Sequence, residues 1–346
     1  MTQPPDLGVP SFEASESAAA VAEQPAPEVT IRTKPVVVTG ASGLVGTSLC
    51  ELLVANGWKV RAIVRNTTKA AHRLGHLALE IRTGDVRNVS DMRSALAGAG
   101  SVVHLAAIAI EKEGETYSST NADATRVLID SARAESVTRM IYMSQNGADS
   151  RSPYAFLRSK GVAQDLVQDS NLRWTILRPS VIVGPDDEFV NVLARLVRLS
   201  PLIFPLPGGG SARFQPVAVA DVCRAILKCL EDDSTVRRRL SIGGPAPLTL
   251  RQMTERILIA MGASRSLVGI PVPALRPLVA MAQRILPNPP VTTSLLDLLE
   301  VDNTTEPNDL RERLGIEPVP FAPEELLYLR KITAGAALAS LVKKPS

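Results

Sequence analysis

The chain has 346 residues, a formal net charge of +3, 45% hydrophobic residues and only 3% aromatic ones. That length and apolar content provide a sizeable core for one large domain or two fused ones, and they exclude global disorder. A charge of +3 spread over this length, with few aromatics to stack bases on, excludes a nucleic-acid footprint.

Three cysteines far from any CxxC spacing and three histidines argue against a disulfide framework and against a metal site. Cys50, Cys223 and Cys229 fall on expected helices and read as buried free thiols. No stretch approaches the roughly 20 uninterrupted apolar residues of a membrane-spanning helix. The acidic first residues resemble neither a secretory signal nor a mitochondrial transit peptide, so a cytoplasmic, reducing setting is expected.

Residues 1–33, rich in Pro, Ala, Glu and Ser, read as a disordered tail. The pattern then becomes regular. Pro35-Val36-Val37-Val38 reads as a buried parallel strand. A glycine-rich turn and a helix ended by Asn56-Gly57 follow. Strands are expected at 59–64, 79–84, 101–106, 139–144 and 173–178. Helices are expected at 89–98, 119–134 and 153–169, the last opened by Ser152 as cap and Pro153 in the first turn. This alternation predicts an α/β fold, a doubly wound parallel sheet of the Rossmann type over residues 34–180. After Pro179 helices separated by Pro/Gly-rich loops dominate, so 181–346 reads as a smaller, mainly helical substrate or partner lobe. Strands near 213–219 and 239–243 are expected to return to the sheet. Arg237-Arg238-Arg239 reads as a solvated turn before a strand.

Thr39-Gly40-Ala41-Ser42-Gly43-Leu44-Val45-Gly46 has the pattern T-G-x-x-G-x-x-G between a strand and a helix. Its glycines have separable tasks: a tight turn, backbone approach to a pyrophosphate, and close helix–strand packing. The turn from Gly40 through Ser42 and Gly43, with Leu44, Val45 and Gly46, is therefore the expected seat of a dinucleotide, held at a helix N-terminus. About 20 residues on, an acidic residue would select NAD and an arginine NADP. Arg65 stands there and no Asp or Glu lies between Val54 and His76, which favours NADP(H). Asp85 and Val86 follow the third strand, where a short acid meets the adenine edge. Leu105, Ala106 and Ala107 end the fourth strand beside the cofactor, and His104 reads as a packed core residue.

The glycine motif, His104-Leu105-Ala106-Ala107, Asn121, Ser144, Lys160 and Arg178-Pro179-Ser180 together resemble the short-chain dehydrogenase/reductase superfamily in its extended and atypical branches. Within it, Trp174 to Ser180, Phe204 to Gly210, Arg213 to Val217 and Val301-Asp302-Asn303 are similar to the NAD(P)H-binding accessory subunit of respiratory complex I and its bacterial relatives. The resemblance implies cofactor contacts at Pro179 and Lys160, and three possible roles. One is an oxidoreductase acting on a small apolar or quinone-like carbonyl. Another is a non-catalytic NADPH-binding accessory or assembly module of a respiratory membrane complex. The third is a nucleotide-sugar epimerase or dehydratase.

Short-chain dehydrogenases use Tyr-x-x-x-Lys on one helical face with an upstream serine. Ser144 and Lys160 match, but Phe156 occupies the tyrosine position and has no proton to give. Tyr154 is the nearest candidate acid. A helix starting at Pro153 would turn it about 240° away from Lys160, and Ser152-Pro153 favours that geometry. A later start would leave it in a loop from which it can turn towards the nicotinamide. Asp186, Asp187 and Glu188 read as a helix N-terminus, and Arg213 resembles an arginine that meets a nucleotide-sugar phosphate. The helices near 273–286 and 331–344 read as amphipathic helices packed on the core, with peripheral contact to a membrane or a membrane complex as the other reading.

Overall fold

A run such as Val36-Val37-Val38 has no polar face, so it is stable only in a strand covered on both sides. The computed structural model, which describes residues 33–111, 114–299 and 301–342, gives it that place. Strand β1 (Val36–Thr39) is wholly buried and lies inside a seven-stranded sheet. The others are β2 (Val60–Val64), β3 (Glu80–Thr83), β4 (Ser101–His104), β5 (Arg139–Met143), β6 (Arg173–Pro179) and the strand Arg238–Ile242. Every pairing in this sheet is parallel. From one edge the order is Arg238–Ile242, β6, β5, β4, β1, β2, β3. The direction of winding therefore reverses between β1 and β4, and the crevice at that switch point is where such sheets bind ligands.

The crossover helices are α1 (Leu44–Ala55), α2 (Thr67–Leu74), α3 (Val89–Leu96), α4 (Ala124–Ala134) and α5 (Ala155–Gln168). Leu49, Leu53, Val38, Cys223 and Ile226 belong to the core on one face of the sheet; Met92, Leu128, Val102 and Ile176 belong to the core on the other. The rest of the chain adds α6 (Val190–Leu199), α7 (Val219–Glu231), α8 (Leu250–Met261), α9 (Val272–Ile285), α10 (Thr293–Leu298), α11 (Asp309–Glu312) and α12 (Ala334–Val342). A third core, including Val190, Phe204, Phe214, Met253 and Phe321, lies wholly in this later part. All three cysteines are buried free thiols, as expected. The strand expected near 239–243 does pair with β6. The expected tail, apart from Thr33, lies outside the described residues, as do Lys343 and Lys344.

Several expectations need correction. The stretch 213–219 does not join the main sheet. Pro216, which has no N–H to donate, divides it. Arg213–Phe214 pairs antiparallel with Leu248–Thr249, and Val217–Ala218 pairs parallel with Ile182–Val183. The helix expected from 119 opens with a wider π-type turn, Ser118–Asp123. Helix α2, absent from the expectation, is closed at its start by the Asn66 side chain accepting the Lys69 amide. Helix α5 begins at Ala155, because the Ser152 hydroxyl accepts the Tyr154 N–H at 3.2 Å and holds Tyr154 extended (φ −82°, ψ 118°).

Helix α9 does not pack on the core as expected. Among its residues only Val272 is buried, and Leu278, Met281 and Ile285 are exposed. In α12 only Ala337 is buried, and Leu338 and Val342 are exposed. The two helices are tied together through Asn288, which donates to the carbonyls of Leu341 and Ser340. No helix among the described residues is long and apolar enough to cross a membrane.

Candidate functional site

The turn after β1 is fixed by contacts that exclude side chains at two of its glycines. Gly40 has φ +70°, a left-handed conformation, and a Cβ there would lie 2.8 Å from the Ala106 nitrogen. A Cβ on Gly46 would lie 2.2 Å from the Gly40 carbonyl oxygen, so this glycine lets α1 press against the turn. Gly43 differs. The only heavy atom near its would-be Cβ is the Gly40 oxygen at 3.2 Å. A glycine with space around it leaves backbone open to a ligand. The start of α1 points the same way: no side chain caps it and its first turn has no acid, whereas Asn66 and Asn88 cap α2 and α3. Uncapped amides and the helix dipole suit a pyrophosphate. Ser42, Leu44 and Val45 are half-buried around this turn.

At the ends of β2 and β3 the charges pair. Arg65 is exposed, and its guanidinium forms an ion pair with Glu115. Asp85 accepts the Arg87 amide at 2.9 Å and its guanidinium at 2.6 Å. That arginine holds the Asp85 carboxyl below the usual carboxylate range. Val86 is buried. Beyond β4, Leu105 and Ala106 are half-buried and Ala107 is exposed. Asn121 clamps the next residue, accepting the Ile108 N–H at 2.9 Å and donating to its carbonyl at 3.2 Å.

His104 sits inside the sheet as expected. Thr39 Oγ1 lies 2.7 Å from its Nδ1 and Thr125 Oγ1 3.2 Å from its Nε2. Thr125 gives its own proton to the Asn121 carbonyl, so Nε2 carries the ring proton and Nδ1 accepts from Thr39. Burial, and after it the nearby Lys160 charge, push His104 down to about 3. It stays neutral and packs.

At the end of β5 the Ser144 hydroxyl is buried and without a partner among the described residues. The preceding residue, Met143, gives its carbonyl to the Lys160 ammonium at 2.6 Å. Lys160 Nζ also lies 4.8 Å from the centre of the Tyr142 ring, and burial pushes it down to about 7. Phe156, one helical turn before Lys160, meets Tyr117 edge-on with ring centres 5.7 Å apart. Tyr154 stands at the helix cap, half-buried, outside the helical register. No hydrogen bond joins it to Ser144 or Lys160 among the described residues. Arg158 turns back to the carbonyls of Ser152 and Pro153. Pro179 ends β6, buried, and its carbonyl accepts the Asn146 amide at 2.9 Å.

Two other stretches have structural roles. Asp187 caps α6 by accepting the Phe189, Val190 and Asn191 amides, so the acidic run after Pro185 is a helix start, as expected. Arg213 is bound by Asp302 at 2.9 Å, which occupies the charge a nucleotide-sugar phosphate would need. Arg87 and Glu115 were not singled out from the sequence. The Asp85-x-Arg87 spacing was a local signal for the first; the second meets Arg65 only through the fold.

A doubly wound parallel sheet with an uncapped glycine turn at its switch point defines a dinucleotide-binding protein. The chain belongs to the NAD(P)H-binding family, whose model matches residues 40–233. It is 28% identical over 290 residues to the "NADH dehydrogenase [ubiquinone] 1 alpha subcomplex subunit 9, mitochondrial" of Arabidopsis thaliana, over 79% of this chain and 71% of that one. It is 26% identical to a 2-alkyl-3-oxoalkanoate reductase of Stenotrophomonas maltophilia, over 86% of this chain and 99% of the other. The fold matches a UDP-glucose 4-epimerase structure from Thermotoga maritima with a TM-score of 0.65, at 21% identity over 89% and 99% of the two chains. The resemblance to atypical short-chain dehydrogenase/reductases with complex I relatives is borne out, as is a nicotinamide dinucleotide as cofactor.

Proposed function

We propose that the chain prefers NADP(H) to NAD(H) and is an oxidoreductase acting on a small apolar or quinone-like carbonyl. The observation that carries the catalytic reading is the buried Ser144 hydroxyl, without a partner among the described residues, beside the carbonyl that holds Lys160. A hydroxyl buried without a partner costs about 1–3 kcal/mol, and a substrate oxygen would satisfy it. In this reading the turn of Gly40, Ser42, Gly43, Leu44, Val45 and Gly46 holds the pyrophosphate, and Arg65 the 2′-phosphate. Asp85 and Val86 face the adenine. Leu105, Ala106, Ala107 and Pro179 line the nicotinamide end, and Lys160 holds its ribose. The cofactor supplies or accepts a hydride. Ser144 orients the substrate oxygen and Tyr154, free of the helix, exchanges its proton. The segment after Pro179 covers the substrate.

A second reading has support of its own: a non-catalytic, cofactor-bound accessory or assembly module of a respiratory membrane complex. Phe156 cannot exchange a proton. The exposed apolar residues of α9 and α12, with Arg284 and no acid on either helix, suit a peripheral contact with a membrane or a membrane complex; Arg276 is paired with Asp297 of α10.

The test is fluorescence titration of the purified chain with NADPH and NADH, on wild type and Arg65→Glu. Selective NADPH binding lost in the variant is the expected result; equal binding of both nucleotides overturns the NADP preference. Turnover of carbonyl and quinone substrates follows. A loss of about 10²-fold in Tyr154→Phe supports the oxidoreductase. Tight NADPH binding without turnover supports the accessory module.

A further inference from the structure

Four charges meet at the ends of β2 and β3: Arg65, Asp85 and Arg87, with Glu115 brought to them by the segment after β4. Arg87 is committed to Asp85, whose carboxylate it meets through both its amide and its guanidinium, and it donates a further hydrogen bond to the Gly114 carbonyl at 3.0 Å. Among the described residues Arg65 pairs with Glu115 alone. The same Glu115 oxygen lies 3.9 Å from Arg87 Nη2, and the Glu115 side chain is only 17% exposed. One carboxylate thus sits between two guanidinium groups where the ribose-phosphate end of a dinucleotide is expected.

The segment around Glu115 has internal bonds of its own besides this pair. Glu111 accepts the Tyr117 amide at 2.8 Å, the Tyr117 hydroxyl donates to the Ala109 carbonyl at 2.9 Å, and Asn121 clamps Ile108. An exposed arginine's ion pair is worth little for folding. Its consequence for a ligand is larger. With Glu115 ionised, these four side chains and Asp91, whose carboxylate accepts the Asp85 amide at 2.9 Å, sum to −1; without it they sum to zero, facing a phosphate of nearly −2.

We propose that Glu115 is an internal substitute for the 2′-phosphate and sets the discrimination between NADP(H) and NAD(H). Its carboxylate holds the Arg65 guanidinium in place and must be displaced before a phosphate binds there. A ligand without the 2′-phosphate leaves the pair intact and pays nothing. This inference rests on the assignment of the 2′-phosphate to Arg65 proposed above.

The experiment measures dissociation constants of NADPH, NADH, 2′,5′-ADP and 5′-AMP for the full chain and for Glu115→Gln, Arg65→Ala and the double variant. Glu115→Gln keeps the size of the side chain, and its thermal midpoint verifies folding. It is expected to tighten NADPH and 2′,5′-ADP by about three- to ten-fold and to leave NADH and 5′-AMP unchanged. In the Arg65→Ala background the same substitution is expected to gain much less, because the competing partner is gone. Equal effects on phosphorylated and unphosphorylated ligands, or weaker NADPH binding in Glu115→Gln, would overturn the proposal. If Arg65→Ala leaves the NADPH-to-NADH ratio unmoved, the 2′-phosphate assignment fails and this inference with it. If Arg65→Ala lowers that ratio and Glu115→Gln does not raise it, only the competition by Glu115 fails.

Discussion

At the end of β1 the backbone is so closely packed that a Cβ on Gly46 would meet the Gly40 carbonyl at 2.2 Å. At the end of β5, by contrast, a buried serine hydroxyl has no partner among the described residues, and a phenylalanine stands at the tyrosine position of the short-chain dehydrogenase pattern. The first region has no slack at Gly40 and Gly46 and carries the glycine pattern of its class in full. The second keeps the lysine and the serine but departs from the class at the one position that touches a proton. Binding of a dinucleotide and chemistry on a substrate are therefore separable in this fold. The first depends on backbone shape, the second on a single hydroxyl.

The largest effect is expected at the tight end. Gly46→Ala places a methyl group against backbone at the start of α1, and backbone cannot step aside as a side chain tip can. Destabilisation of about 3 kcal/mol or more is expected, with loss of nucleotide binding. Gly43→Ala meets only one oxygen, at 3.2 Å. It is expected to cost less than about 1 kcal/mol of stability and still to weaken NADPH binding strongly, because its methyl group would stand where the pyrophosphate approaches. Urea unfolding and nucleotide titration on both variants separate the two tasks. Equal stability losses at the two positions would show that Gly43 also serves packing alone.

The next effect sharpens the other side of the comparison. Phe156→Tyr restores a hydroxyl one helical turn before Lys160, in contact range of Tyr117. If the site is an oxidoreductase limited by its proton donor, carbonyl reduction is expected to rise by up to about 10²-fold, with NADPH affinity unchanged. No gain in turnover with any carbonyl, alongside intact NADPH binding, would favour the accessory module.

Much of this was legible in the sequence because parallel strands and glycine turns are local signals. The valine run of β1, the alternation of strands and helices and the spacing of Gly40, Gly43 and Gly46 each need only neighbouring residues to interpret. What failed depended on particular hydrogen bonds or on distant partners. Ser152 and Pro153 look like a helix start, yet the Ser152 hydroxyl captures the Tyr154 amide and delays the helix to Ala155. Arg65 reads as the arginine that would meet a 2′-phosphate, and Glu115 meets it across 50 residues of chain. The period of α9 suggests a helix with a covered face, but periodicity does not say what covers it, and in this chain that face is exposed.

The smallest effect concerns Lys160 and is a pH dependence of folding. Burial holds its ammonium at about 7, against about 10.4 for an exposed lysine. Between those values the unfolded chain binds a proton that the folded chain has released, so stability rises with pH. The buried thiols of Cys50, Cys223 and Cys229, pushed up to about 12, act in the opposite sense from about pH 7.5, where the unfolded chain begins to release protons that the folded chain keeps. The thiols are common to the wild type and to a Lys160 variant, so the difference between the two over about pH 7 to 8.5 isolates the lysine. Across that window the cofactor-free protein is expected to gain about 1–2 kcal/mol from Lys160, by urea unfolding at constant ionic strength. Lys160→Met has no proton to lose and is expected to keep only the decline from the thiols, so the wild type gains about 1–2 kcal/mol on it across that window. Parallel profiles for the two proteins would mean that Lys160 stays charged in the fold. The bond to the Met143 carbonyl and the Tyr142 ring would then suffice to hold an ammonium in the core, and Lys160 would meet a nucleotide as a full positive charge at neutral pH.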